Sequence, residues 1–302
     1  MAVCLEVGGG SLACINRSVR MERPELVLAA DLNYTRPEER QQALVEAVRR
    51  QHLQKQRCVS VLAPDVYRVV QLELAELPDE ERRDAARWQI RERLDYPPEE
   101  AVIDLYQVVP FGAEKRALTY AVAARESVLR ERIRLLHEAD LQLTAIDIPD
   151  FALRNICDLI GAADRGLALL LLRDESGMLA IMRAGDLYLV RLFNSGMNAL
   201  LPYAEGQYET LSEQLDAVVL EIQRSFDYCE SNFHLPVVDR LLVAQTQREI
   251  PAVISYLDEY LATKVEAFSF AGFLDVPDGV DQVDLNRHLL AIGGALRQEE
   301  KV

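Results

Sequence analysis

The sequence predicts a doubled α/β architecture, in which one layered lobe is repeated in the two halves of the chain. Three observations predict it. Each half opens on short apolar runs joined by a tight turn: residues 3–7 and 12–16 flank Gly8-Gly9-Gly10-Ser11, and residues 167–172 and 178–183 flank Asp174-Glu175-Ser176-Gly177. Each half closes on helical patterns alternating with buried strands. The small-residue stretch Gly161-Ala162-Ala163-Asp164-Arg165-Gly166 separates them, which puts the lobes at 1–165 and 166–302.

In the first half, the apolar run 26–30 extends the opening hairpin into a sheet. Pro37 opens a helix with Leu44, Val45 and Val48 on one face, and its basic end reaches about Arg57. Residues 59–62 read as a buried strand and 67–72 as another extended piece. Pro78-Asp79-Glu80-Glu81 starts a helix with acidic residues at its positive end. That helix stops before Pro97-Pro98, because the residue before a proline is pushed out of helical geometry. Strands at 102–109 and 116–123, a helix at 126–139, a strand at 143–148 and a helix at 149–160 complete the half.

In the second half, 187–193 makes a third strand. Leu211, Leu215, Val218, Val219, Ile222, Phe226, Cys229 and Phe233 then fall on one face of a helix of about 23 residues, ~35 Å long. A strand at 238–243, a helix at 250–261, a strand at 265–268 and a terminal helix at 284–297 follow. No shorter repeat is present.

Composition limits the functions open to such a chain. At 302 residues, each half is large enough for its own core. The 33 basic and 49 acidic residues leave a net charge of −16, which repels phosphate backbones and anionic lipid surfaces. No nucleic-acid partner and no direct membrane insertion are therefore expected. The longest apolar run, 167–172, is far short of the roughly 20 residues that span a bilayer, and the N-terminus lacks the pattern of a signal peptide. Cys4, Cys14, Cys58, Cys157 and Cys229 form no CxxC pair and read as reduced core residues of a cytosolic protein. His52, His137, His234 and His288 are scattered and make no metal motif. No GxSxG elbow or Walker A loop is present, and the carboxylate pairs read as solvated caps.

The segment from Ala86 to Arg154 adds a more specific signal. It runs Ala86-Arg87-Trp88-Gln89-Ile90-Arg91-Glu92-Arg93-Leu94-Asp95-Tyr96-Pro97-Pro98, carrying the chain's one tryptophan. Strands and a helix then lead to Ile148-Pro149-Asp150-Phe151-Ala152-Leu153-Arg154. In this order it resembles the PilM family, the actin-like cytoplasmic proteins of type IV pilus assembly, and in style its MshI branch from MSHA pilus machines. The resemblance implies an actin-like ATPase (ribonuclease H-like) fold with two duplicated lobes, and a small subdomain inserted into the first at about 78–115. It also implies a cytoplasmic protein recruited to the inner membrane through a partner, and leaves room for a homo-oligomer.

Proteins of that fold hold ATP and magnesium between two phosphate-binding hairpins and a glycine-rich adenosine loop, where backbone N–H groups must come close to phosphate oxygens. Gly8, Gly9, Gly10 and Ser11 keep the first hairpin as a residual phosphate loop, although Glu6 stands near where the family places an aspartate. A plain glycine turn is the competing explanation. The second hairpin, Leu172-Arg173-Asp174-Glu175-Ser176-Gly177, would face a polyphosphate with like charge. The third element, Val243-Ala244-Gln245-Thr246-Gln247, has no glycine. Losing two or three charge-assisted contacts at roughly 1.5–3 kcal/mol each lowers affinity by ~10³-fold or more. The expectation is a non-catalytic scaffold without cofactor.

By the same resemblance, the groove beside the inserted subdomain takes the N-terminal cytoplasmic tail of a PilN/MshJ-like membrane protein. Trp88, Ile90, Leu94 and Tyr96 are expected to line it, with Arg87 and Arg91 at its rim. The competing reading makes Trp88 and Ile90 the core face of the inserted helix. Two other functions stay open: a working ATP-binding PilM-like ATPase, and the cytoplasmic domain of a GspL-like type II secretion protein, after which a membrane span is expected. An FtsA-like filament former is disfavoured by the polar residues 295–302.

Overall fold

A computed structural model describes residues 1–17, 22–73, 79–112, 117–161, 166–204 and 208–298. The expected start of a helix at Pro78, the junction residues 162–165, the strand start at Arg116 and the acidic tail Glu299-Glu300 lie outside them. Contacts divide the chain into two compact units, Met1–Leu12 with Asp31–Pro149, and Ala13–Ala30 with Asp150–Val302.

A five-stranded sheet of order β3-β2-β1-β4-β8 organises the first half of the chain. Its strands are β1 (Ala2–Leu5), β2 (Gly10–Asn16), β3 (Glu25–Leu32), β4 (Arg57–Val61) and β8 (Gln142–Asp147). β1 and β4 run parallel with Val3 opposite Ser60, and β4 and β8 run parallel with Val61 opposite Asp147. Every residue of β1 is buried, as a central strand covered on both faces requires.

α1 (Arg40–Arg50) follows a 3-10 turn at Pro37–Glu39 and buries Leu44, Ala47 and Val48 on one stripe. It ends at Arg50, short of the Arg57 expected from the sequence. His52 and Lys55 have φ of 54° and 61°, a left-handed geometry that reverses the chain, and Arg57 already opens β4. α3 (Glu126–Glu138) follows later in the first unit, and α4 (Pro149–Ile160) begins the long second stretch of the other.

Between β4 and α3 stands a separate three-stranded antiparallel sheet, β5-β7-β6, made of β5 (Tyr67–Leu72), β6 (Ala101–Val108) and β7 (Leu118–Arg125). α2 (Asp79–Ile90) packs on it through Ala86 and Ile90, against Leu72, Ala101, Ile103, Ala121 and Ala123. Alanines on β7 let the helix come close. The inserted sheet therefore begins at β5, before the expected limit of 78. A 3-10 turn at Arg91–Arg93 ends the helix, and a second at Pro98–Glu100 starts β6.

The second unit repeats the strand order in the sheet β11-β10-β9-β12-β13. Here β9 is Gly166–Leu172, β10 Gly177–Arg183, β11 Asp186–Phe193, β12 Val238–Gln245 and β13 Lys264–Ala267. The first three are antiparallel, while β9, β12 and β13 are parallel. In both sheets the third, second and first strands are followed by the two returning parallel strands. α5 (Met197–Leu200) precedes the long α6 (Tyr208–Phe233), and α7 (Pro251–Tyr260) lies between β12 and β13. The expected single terminal helix is two, α8 (Gln282–Arg287) and α9 (Leu289–Ala295). Its break has a packing cause. Asn286 donates to the Gln245 carbonyl, while Gly293 lies so close to Ala152 that a Cβ there would stand 2.2 Å from the Ala152 carbonyl oxygen.

Candidate functional site

The glycine hairpin between β1 and β2 is closed by the Glu6 N–H donating to the Gly9 carbonyl at 2.9 Å. Gly10 is required by packing, since a Cβ there would meet the Cys4 carbonyl oxygen at 2.6 Å. Gly8 has nothing within 4 Å, and at Gly9 only the Leu32 carbonyl comes within 3.8 Å. Neither has the positive φ that would demand glycine. The tip is thus open, and the fold does not explain its two glycines. Ser11 is turned inward at 9% exposure.

Beneath the tip, the carbonyls of Leu5 at the end of β1 and of Glu6 just past it are held by side-chain donors. Tyr34 Oη and Arg40 Nη2 donate to the Glu6 carbonyl at 2.9 and 3.1 Å, and Arg132 Nη2 donates to the Leu5 carbonyl at 3.3 Å. Arg132 is only 4% exposed, and its Nη1, like Arg40 Nε, has no partner. Burial foremost, and then the neighbouring Arg40 charge, pulls the Arg132 guanidinium below its usual pKa. Burial likewise pushes the Tyr34 hydroxyl up.

In the second unit, the turn between β9 and β10 is fastened to its neighbours. Arg173 N–H donates to the Ser176 carbonyl at 2.8 Å, closing it. The Met197 and Asn198 N–H groups donate to the carbonyls of Arg173 and Asp174 at 2.7 and 2.9 Å. Gly196 permits this approach: a Cβ there would stand 2.4 Å from the Arg173 carbonyl oxygen. Gln247, in the expected adenosine loop, donates to Asp174 Oδ1 at 2.7 Å and to Asn198 Oδ1 at 2.8 Å, and Asn198 donates to Glu175 at 2.5 Å. Thr246 N–H and Oγ1 both bond the Leu172 carbonyl, at 3.2 and 2.9 Å. The second and third expected nucleotide elements are adjacent, and side chains cross-link them.

The inserted subdomain presents another surface. Successive helical residues are about 100° apart, so with Ala86 and Ile90 on the sheet Trp88 points away from it. It is 67% exposed, which excludes the reading of Trp88 as core. The Arg91 guanidinium lies over its ring, 5.2 Å from the centroid, while Arg87 turns to Asp84 at 2.9 Å. Ile90 requires the opposite correction. It is fully buried in the subdomain core and cannot line an open slot. Leu94 and Tyr96 pack against that same core, because the chain turns extended at Leu94, with ψ of 144°, and carries them back onto the sheet. Arg125 lies over the Tyr96 ring at 4.7 Å.

The six expected partner residues therefore divide: Trp88 and Arg91 together outside, Arg87 on the flank, and Ile90, Leu94 and Tyr96 on the core side. The sequence reading missed the sheet face opposite α2. There Tyr106 stacks on Tyr120 at 5.2 Å, in the row next to Asp104, Val122 and Val69. Alternation in β6 and β7 could have signalled that face. Nothing in the sequence marked Asn198, Tyr34 or Arg132.

Other chemistry gains no support. Among the described residues no group of three or more His, Cys, Asp or Glu is placed to hold a metal, and no helix is long and apolar enough to cross a membrane. Burial pushes the Cys229 thiol up to about 12 and the Cys157 thiol upward as well, so both are poor nucleophiles.

No protein-family model matches the chain, and no curated protein matches it. Solved structures do. The PilM-PilN type IV pilus biogenesis complex aligns at TM-score 0.74 and 18% identity, over 97% of this chain and 96% of that one. A Bacteroides thetaiotaomicron protein with an actin-like ATPase fold and unknown function aligns at TM-score 0.51 and 10% identity, over 95% of this chain and 94% of that one. The chain has the actin-like ATPase fold. The cytoplasmic domain of EpsL, an inner-membrane component of the Vibrio cholerae type II secretion system, shares it at TM-score 0.51 and 10% identity, over 99% of this chain and 95% of its own. Identities this low establish the fold and nothing finer.

Proposed function

We propose that this chain is a PilM-like assembly factor of a type IV pilus, of the MSHA kind, acting as a non-catalytic scaffold at the cytoplasmic face of the inner membrane. It grips the short N-terminal tail of a PilN/MshJ-like membrane protein with its inserted subdomain. The observation that carries this is Trp88: the largest side chain of α2 stands in solvent, backed by Arg91, on a subdomain that neither five-stranded sheet needs. An exposed aromatic with a guanidinium beside it is the kind of anchor that peptide recognition uses. The PilM-PilN complex, which matches the chain over nearly its full length, supports a PilN-like protein as the partner. The half-buried Tyr106–Tyr120 pair offers a second anchor on the same subdomain.

Trp88 is the chain's one tryptophan, so its emission reports the test directly. A synthetic peptide of the partner's first ten to fifteen residues, about micromolar in affinity, should shift that emission to shorter wavelength. Trp88→Ala should weaken binding, followed by calorimetry, at least about tenfold. A folded protein that shows neither heat nor an emission change with the peptide would sink the proposal.

We also infer that Mg-ATP is not bound tightly. Asp174 and Glu175 would oppose a polyphosphate with like charge, and the Arg173 N–H of the turn carrying them is already spent on the Ser176 carbonyl. The opposing reading, a working ATPase, is favoured by the open tip at Gly8 and Gly9. Calorimetric titration with Mg-ATP separates them, because micromolar binding would overturn the degenerate-cleft reading. A GspL-like role draws on the fold shared with EpsL. Binding to a secretion-system tail in preference to a pilus tail would favour it.

A further inference from the structure

The second unit carries a surface groove that none of the foregoing uses. It lies between α6 and α7, has a volume of about 390 Å³, and is lined by Leu211, Ser212, Leu215, Ala252, Tyr256 and Glu259, with Ser255 at its edge. Leu211 and Leu215 lie beneath its floor at 2% and 1% exposure, and the apolar surface it offers comes from the half-buried Ala252 and the Tyr256 ring. Its wall is set in advance: Tyr256 Oη donates to Asp216 Oδ1 at 2.7 Å, and the Tyr256 ring stacks on Tyr260 at 4.5 Å. Gln223 Nε2 reaches across from α6 to the Tyr260 carbonyl at 3.3 Å. Both helices are thus tied before anything binds, so little ordering cost remains for an occupant. On the same ridge of α6, one turn past Asp216, Leu220 is 44% exposed, and Tyr260 is 50% exposed.

The charge around this slot has one sign. Asp216 and Glu259 stand at the groove, while among the described residues that line it none is basic. Arg224 is paired with Glu221, away from the groove. An apolar floor between two helices with an acidic rim complements one kind of segment: an amphipathic helix with apolar residues at i, i+3 or i+4, and i+7, flanked by lysine or arginine.

We propose that the α6–α7 groove is a second docking site, which takes a basic amphipathic helix of a partner protein. It is independent of the tail reading, since every residue involved belongs to the second unit and none to the inserted subdomain. Two contacts on separate units would let one scaffold hold two partners, or one partner at two points with a gain from effective concentration.

The test uses the full chain and three labelled, end-blocked 18-residue peptides that share leucines at i, i+4 and i+7. One is flanked by Lys and Arg, one by Glu, and one is the basic peptide with its leucines scrambled. Two variants add the same charge at different places: Ser255→Arg at the groove edge, and Ser231→Arg about 24 Å further along α6. Fluorescence anisotropy at ~150 mM salt keeps long-range attraction screened. The basic amphipathic peptide is expected to bind the native chain and Ser231→Arg alike. It should bind Ser255→Arg at least tenfold more weakly, and both other peptides should bind at least tenfold more weakly than it does. Amide exchange should show protection in α6 and α7 when the peptide is present. The proposal is overturned if the basic peptide does not bind, if it binds both arginine variants equally, or if the scrambled peptide matches it. Concentration-dependent protection of α7 by the protein itself would assign the groove to a second copy of the chain and overturn it too.

Discussion

The hairpins that open the two lobes, β1–β2 and β9–β10, stand at the same place in sheets of the same strand order, yet they are finished in opposite ways. Both central strands are buried along their whole length, and that requirement preserves the topology. No such requirement acts on the turns. The first ends in an open glycine tip whose carbonyl side rests on Tyr34, Arg40 and Arg132. The second is acidic, and the N–H groups of Met197 and Asn198 at the start of α5 occupy its carbonyls. Duplicated architecture therefore says little about duplicated chemistry. A nucleotide needs both turns to offer N–H groups to phosphate, and in the second the Arg173 N–H is spent on Ser176 while Asp174 and Glu175 set like charge beside the rest.

The largest effect that could break this contrast lies at Gly196. In Gly196→Ala the new Cβ would meet backbone at 2.4 Å from Arg173 O and 2.5 Å from Ser176 N, where no flexible side chain can yield. A loss of about 3 kcal/mol or more is expected, read as a lower denaturant midpoint. If Gly196→Ala unfolds like the native chain, the second turn is not fastened as described.

Arg132 comes next. Arg132→Ala strips the Leu5 carbonyl of a buried donor and empties space under the first hairpin, at an expected cost of about 1–3 kcal/mol. The cost should stay near the lower end, because Arg132 Nη1 is itself unpartnered and its burial already penalises the charge. Chemical denaturation of Arg132→Ala beside Arg132→Met separates the lost donor from the lost volume. Equal stability of both with the native chain would remove Arg132 from the hairpin's support.

These contrasts also mark how far the residues could be read without coordinates. The strands at 67–72 and the helix at 149–160 were legible to the residue, because apolar runs and proline boundaries are local signals. The end of α1 was not. A left-handed His52 and Lys55 carry no signature that a glycine would, so helix-forming Gln, Lys and Arg read as a continuation of the helix. The break at His288 is imposed by contacts to Gln245 and Ala152, which are distant in sequence. At the candidate site the error was one of faces. In a helix with few apolar residues, the small Ala86 and Ile90 make the core, and the largest apolar residue, Trp88, falls outside it. Arg132 in an amphipathic helix reads as a solvent residue, and only the structure shows its guanidinium under β1.

The open tip itself should tolerate change. Gly8→Ala meets nothing within 4 Å and needs no unusual φ, so its effect on stability should stay within about 0.5 kcal/mol. A cost above ~1.5 kcal/mol in thermal or chemical unfolding would show that the fold needs that glycine. The tip would then no longer be the less constrained of the two turns.

The smallest effect concerns the approach to α1, the helix that places Arg40 beneath that tip. Arg36 binds the Glu39 carboxylate at 2.5 and 2.8 Å, and the N–H groups of Thr35 and Arg36 add two more bonds. The Arg36 side-chain bonds first, and then those backbone bonds, hold the Glu39 pKa down at about 2 from 4.5. A carboxyl depressed on folding contributes stability that is present above the unfolded pKa and is lost as pH falls through the folded one. The contribution should therefore fade between about pH 4.5 and about pH 2. It should be small, since the pair is exposed to solvent. Carbon-detected NMR titration should place the Glu39 midpoint near the bottom of that window, and Arg36→Ala should move it toward 4.5. A native midpoint already close to 4.5 would mean that this turn is not clamped, and that Arg40 reaches the hairpin from a looser start of α1.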